Sequence, residues 1–130
     1  MARTFRMARL FDVLDPVTGP SFAPDHPREH DAEEIERLLG FLYDGAPLIA
    51  AIGRAPDLVE PSRGERVPIA TMTDGVWIWS GGHAYYLETY GIALDPEFHE
   101  HIRQQRYRAK QPDQRTLDEA MAYLEEQQAG

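Results

Sequence analysis

Apolar residues recur along this chain with two periods, and the switches between them mark its elements. Between Asp31 and Gly45, residues Ile35, Leu38, Leu39 and Leu42 fall at i, i+3, i+4 and i+7, which predicts an amphipathic helix over 32–43. Asp31 stands at the N-cap with Glu34 at the capping-box spacing, and Gly45 and Pro47 end the helix. The short apolar run Leu48 to Ile52, bounded by Pro47 and Gly53, predicts a buried strand. Two prolines, a glycine and several charges predict a long surface loop over 54–66. From Val67 to Trp79, two β-prone runs flank Asp74-Gly75, the signature of a hairpin with a two-residue turn. That turn would set Thr73 opposite Val76 and Met72 opposite Trp77. Strand alternation then puts Ala70, Met72, Trp77 and Trp79 on one face, and Ile69, Thr71, Val76 and Ile78 on the other. Neither face is polar, so both are expected to be covered.

Beyond the hairpin the period returns to that of a helix. Ser80 is placed to cap a helix running to Tyr90, with Gly91 as its left-handed stop. Asp95-Pro96 starts a second helix, expected through about Tyr107. Thr116 and Glu119 have capping-box spacing before a last helix, in which Leu117, Ala120, Met121 and Leu124 repeat the apolar pattern. At the other end, Pro16, Pro20, Pro24 and Pro27 predict an irregular connection, and the period of residues 4–14 fits strand and helix equally. The expected architecture is one α+β domain over 1–130. Residues 1–30 form an arm and proline-rich connection, and 31–130 form a compact body. Its small antiparallel sheet is centred on the 67–79 hairpin and packed by about four helices.

Composition then narrows the chemistry. The 130 residues contain no cysteine, which excludes a disulfide scaffold, a thiolate metal cluster and a cysteine nucleophile. Thirteen basic residues against 22 acidic ones leave a net charge of −9, the wrong sign for a general nucleic-acid binder. No run approaches a membrane span. Arg3, Arg6 and Arg9 are not followed by the apolar stretch of a secretory signal, so a cytoplasmic location is expected. Lys110 is the only lysine, an arginine bias of the kind GC-rich bacterial genomes impose. Charge is uneven: residues 10–102 hold five basic and 17 acidic side chains, whereas 103–115 hold five basic and one acidic. Arg103, Arg106 and Lys110 would form a basic stripe on a helix.

Candidate catalytic chemistry is sparse. His99 and His101 are two apart and diverge along a helix, while His26 and His30 lie in a proline-broken segment, so neither metal nor cofactor is expected. Ser80 lacks the preceding glycine of a nucleophile elbow, since Ile78 stands there. Gly81 and Gly82 would leave backbone N–H groups open to an anion. Glu33, Glu34 and Glu36 read as a solvated helix face, and Asp74 as turn chemistry. The most distinctive chemistry is aromatic: Trp77, Trp79, Tyr85, Tyr86 and Tyr90 fall within 14 residues. They read either as core or as a partly exposed ledge. On the second reading Trp79, Tyr86 and Tyr90, with His83 beside them, are the candidate partner- or ligand-binding residues.

The run Val67-Pro68-Ile69, Thr73-Asp74-Gly75-Val76-Trp77-Ile78-Trp79, Tyr85-Tyr86-Leu87, Tyr90-Gly91, Pro96 and His101-Ile102-Arg103 resembles a family of small, uncharacterised actinobacterial proteins. The resemblance implies a hairpin and two following helices as one unit, and transfers no catalytic residue. The expected function is that of a non-enzymatic acidic interaction protein, which regulates or neutralises a basic protein partner as immunity or antitoxin-like proteins do. One alternative is a small-ligand-binding domain, with its pocket between the Trp face of the hairpin and the next helix. Another is an enzyme using His83 as base with a nearby tyrosine.

Overall fold

A computed structural model describes residues 4–49 and 52–129 and shows an α+β fold. In chain order the elements are β1 (Arg6–Met7), β2 (Val13–Asp15), β3 (Gly19–Ser21), α1 (Ala32–Tyr43), β4 (Ala46–Ile49), β5 (Arg54–Pro56), β6 (Glu65–Pro68), β7 (Thr71–Thr73), β8 (Trp77–Ser80), α2 (Gly81–Tyr90), α3 (Pro96–Gln104) and α4 (Gln114–Ala129). A 3-10 turn at Pro61–Arg63 lies between β5 and β6. The main sheet has the order β1-β8-β7-β4 and is mixed rather than purely antiparallel, because β1 pairs parallel to β8. The pairs β2–β3 and β5–β6 form separate two-stranded sheets.

The hairpin exists, but with shifted register and shorter strands. Thr73 pairs with Ile78 and Met72 with Trp79, so the connection spans Asp74 to Trp77. A type I′ turn needs positive φ at both central residues, and only Gly75 (φ 93°) has it. The turn closes through side chains instead. Asp74 Oδ1 accepts from the amides of Val76 (3.0 Å) and Trp77 (2.9 Å), and the Thr73 hydroxyl donates to the Trp77 carbonyl (2.7 Å). Relative to the expected register the shift is two residues, an even number, so every side chain keeps its face. Trp77 and Trp79 pack with Leu38, Phe41, Leu42, Phe98 and Ile102 from α1 and α3. Ile78 packs behind with Phe5, Ala120 and Leu124. Both faces of β8 are covered, whereas Ile69 and Val76 stay exposed.

Several local expectations are corrected. Residues 54–66 are not a featureless loop but the β5–β6 pair and its 3-10 connection. Val67 and Pro68 belong to that pair and not to the central hairpin. The strand expected over 48–52 is β4, which begins at Ala46 and pairs with β7; residues 50–51 lie outside the described residues, and Ile52 is exposed. Asp31 caps α1 by accepting from the Glu33 and Glu34 amides, yet Glu34 does not close the box. Its carboxylate reaches the His99 ring (2.7 Å) and accepts from the Tyr107 hydroxyl (2.9 Å), tying α1 to α3. Helix α3 stops at Gln104, and Arg106 and Tyr107 have positive φ (56° and 62°), so the expected basic stripe is not a helix face. Arg103 turns to Glu34 at 3.5 Å. At α4 the capping side chain is Asp113, which accepts from the Thr116 amide at 2.9 Å, rather than Thr116.

The N-terminal segment packs by specific contacts. Phe5 is buried, and the amides of Arg6 and Ala8 donate to the Val76 and Ile78 carbonyls at 3.0 and 2.9 Å. Farther on, Asp12 Oδ2 meets the His26 ring (2.7 Å), and His26 Nε2 lies 2.9 Å from the Ala93 carbonyl. Helix α2 ends as expected: Gly91 is left-handed (φ 72°), and the amides of Gly91 and Ile92 donate to Leu87 and Tyr86.

Candidate functional site: a cavity between the hairpin and the tyrosine helix

The segment from Arg54 to Pro68 leans on α2 through one buried carboxylate. Asp57 is fully buried and accepts four hydrogen bonds. The Tyr85 and Tyr90 hydroxyls donate to Oδ2 at 2.6 and 2.5 Å, and the Val59 and Glu60 amides donate to Oδ1 at 2.9 and 2.8 Å. The next residue adds another tie, as the Leu58 amide donates to the Tyr86 hydroxyl oxygen at 3.1 Å. Three tyrosines of one helix thus hold the connection between β5 and β6. Burial alone would raise the Asp57 pKa, but the two phenols and two amides outweigh it and hold the carboxyl below its ordinary range. The phenols respond in the opposite sense: burial first, then the bond to Asp57, pushes Tyr85 and Tyr90 up.

Clasped in this way, the segment walls a cavity of about 750 Å³ against the main sheet. Met72 and Trp79 of the hairpin and Ala84 of α2 supply its apolar lining. Arg54, Arg63 and Arg66 line it from the β5–β6 side, and Glu65 and Glu88 also face it. The guanidiniums are oriented largely by main-chain carbonyls. Arg54 Nη1 donates to the Arg66 carbonyl (3.3 Å) and Arg66 Nε to the Arg63 carbonyl (3.2 Å), while Arg63 lies 3.9 Å from the Glu60 carboxylate. This is the space that the alternation of the hairpin places beside its Trp face.

The four residues singled out from the sequence have different fates. Trp79 is 2% exposed and Tyr86 is 1% exposed, so no exposed aromatic ledge exists. Trp79 is core in every direction but one. Its indole lies between Phe41 and Phe98 at centroid distances of 5.4 and 5.3 Å, its N–H donates to the Leu42 carbonyl, and one side of it lines the cavity. Tyr86 points away from that cavity, into a second, apolar groove of about 390 Å³ shared with Leu10, Phe11 and Val67. Tyr90 belongs to the Asp57 clasp. His83 is buried at the start of α2, where Nδ1 accepts from the Ser80 amide at 3.1 Å and Nε2 donates to the Ala8 carbonyl at 3.2 Å. Burial pushes its pKa down. With both nitrogens engaged, His83 ties the N-terminal arm to α2.

Gly81 and Gly82 also serve packing. The Gly81 amide donates to the Ala70 carbonyl, and a Cβ there would press on Pro68. A Cβ on Gly82 would meet Leu10 at 2.9 Å. Among the described residues, no group of three or more His, Asp or Glu side chains is arranged to hold a metal ion, and no helix is long and apolar enough to cross a membrane. The residues that sequence reasoning passed over are Asp57 and the arginines of β5 and β6, and Tyr85 was seen only as a member of the aromatic cluster. Comparison with family models, curated proteins and solved structures finds no match to this chain.

Proposed function

We propose that this protein is a small-molecule-binding domain whose site is the cavity between the Trp face of the hairpin and α2. One observation carries this reading. A cavity of about 750 Å³ lies where an apolar floor of Met72, Trp79 and Ala84 meets a wall of oriented polar groups. Pockets for drug-sized ligands span roughly 300–1,000 Å³ and combine apolar lining with a few placed polar groups. The wall is preorganised by the buried Asp57 clasp, which lowers the ordering cost of binding. Recognition of a basic protein partner rests on the net charge of −9; with Trp79 and Tyr86 buried, two of its three candidate aromatic anchors are lost to the core.

The test is an amide-resolved NMR titration of the full chain with a panel of small aromatic fragments. Binding is expected to move the resonances of Met72, Ala84 and Tyr85 together. Ala70→Phe, which adds a ring to the cavity lining, should abolish those shifts while the thermal transition stays cooperative. Shifts confined to other surfaces, or shifts unaffected by Ala70→Phe, would overturn the reading.

A further inference from the structure

The charge of the cavity wall identifies the chemical class of its occupant, an inference that rests on the pocket reading above. We infer that the ligand is an amphipathic organic anion. Its apolar body lies on Met72, Trp79 and Ala84, and its carboxylate or phosphate head is held by Arg54 and Arg66.

The argument begins from scarcity. In a chain with 22 acidic residues and 13 basic ones, a cation has many carboxylates within reach. Several arginines of this fold use them: Arg6 pairs with Glu97, Arg37 with Glu33, Arg103 with Glu34 and Arg115 with Glu119. Arg54 and Arg66 instead spend a donor each on a main-chain carbonyl. A carbonyl orients a guanidinium without neutralising it, so the group keeps its positive charge and its remaining N–H donors. Guanidinium is the side-chain group best matched to carboxylate and phosphate, because its planar fork can donate two parallel hydrogen bonds. These two come from paired strands and line the same cavity.

The placement is held rigidly. β5 and β6 are bridged by the segment that contains Asp57, and burying a carboxylate completely is costly unless its oxygens are fully hydrogen-bonded. Here four donors satisfy it, two of them hydroxyls of α2. The clasp fixes the arginine-bearing hairpin at one height above the Trp face. Arg63 adds a third guanidinium at the wall, partly engaged by Glu60. Glu65 and Glu88 also face the cavity, and they set a second requirement. An anion must seat between Arg54 and Arg66 rather than anywhere in the mouth, which favours one head group over a multiply charged ligand.

Three probes of matched shape test this: 2-naphthoate, 2-naphthyl phosphate and neutral 2-naphthamide, titrated against the full chain and its Arg54→Gln/Arg66→Gln variant. At least one anion should bind wild-type protein about tenfold or more tightly than the amide, since hydrogen bonds to charged groups are each worth about that factor. The double variant should lose that preference and keep the amide affinity. The single variant Arg66→Gln, with its thermal transition recorded, controls for loss of folding. Equal affinity for anions and amide, or an anion preference that survives the double variant, overturns the charge assignment and leaves the pocket standing. No binding by any of the three overturns the pocket together with it.

Discussion

Asp74 Oδ2 lies 2.6 Å from His101 Nε2, so the residue that shapes the hairpin turn also anchors the turn to α3. The other oxygen of the same carboxylate accepts from the amides of Val76 and Trp77. Asp74 therefore does two separable jobs. Asp74→Ala strands two turn amides and the His101 ring, at an expected cost of about 2–3 kcal/mol. Asp74→Asn keeps an acceptor oxygen for the amides and loses only the carboxylate partner of His101, at about 1 kcal/mol. Urea denaturation of both variants checks the order, and an equal loss for the two would put the whole effect in the His101 contact. His101→Ala combined with Asp74→Asn should cost less than the sum of the two single changes.

Gly45 is where α1 hands over to β4, and its missing side chain is needed by Trp79. A Cβ at this position would collide with the indole six-membered ring and crowd Met72 Cβ at 3.3 Å. Gly45→Ala should therefore destabilise by about 1–3 kcal/mol, the ordinary range for overpacking a well-filled core. Trp79→Phe removes the colliding atoms but also the donor to the Leu42 carbonyl, so it too is destabilising alone. Their combination should be more stable than the summed losses by about 1 kcal/mol or more, because one change makes room for the other. Additive losses in a double-mutant cycle would mean that the ring does not occupy this place.

The Trp face itself was readable from the sequence although the hairpin register was not. A two-residue turn and the observed turn differ by two positions in pairing, and a period of two conceals such an error completely. Trp77, Trp79 and Met72 thus stay together whichever turn is assumed. The same logic explains why a cavity beside that face could be anticipated while its arginines could not. Arg54 and Arg66 are brought together only by pairing Arg54–Pro56 with Glu65–Pro68, and the prolines and charges of those segments resemble a loop. Asp57 was hidden for a related reason. A lone aspartate among prolines and charges reads as solvated, and only the tertiary arrival of Tyr85 and Tyr90 makes it a buried acceptor. Glu34 misled in the opposite direction, since its capping spacing was real but its carboxylate had a stronger use at His99 and Tyr107.

The Asp57 clasp should be visible in the acid limb of stability. Its carboxyl is held below the ordinary value in the folded protein, whereas the unfolded chain has the ordinary aspartate value of roughly 3.9. The ionised form therefore stabilises the fold fully well above that value, and the contribution fades as pH falls through the unfolded and then the folded pKa. Asp57→Asn should lose stability at pH 7, with the gap from wild type narrowing below about pH 4. Tyr90→Phe removes one of the hydroxyl donors and should narrow the same gap in part. Urea midpoints for the three proteins from pH 7 to pH 2.5 provide the measurement. A gap constant over that range would mean that folded and unfolded Asp57 bind their proton equally.

His83 predicts a second, separate window at higher pH. Burial lowers its folded pKa below the unfolded value of roughly 6.5, so below that pH the unfolded chain takes up a proton that the native ring resists. Stability contributed by neutral His83 is complete above about pH 6.5 and declines as pH falls, by at most about 1.4 kcal/mol per pH unit. Gln is the informative replacement. At the third helical position it can reach back to the Ser80 amide as a capping box requires, and it cannot titrate. His83→Gln should cost about 1–2 kcal/mol at pH 8 through the lost bond to the Ala8 carbonyl and poorer filling of the site. That deficit should shrink between about pH 6.5 and pH 5, as followed by chemical denaturation at half-unit steps. A deficit that instead grows as the solution is acidified would require a protonated His83 in the fold, with Nδ1 donating rather than accepting, and the tie to the Ser80 amide would have to be abandoned.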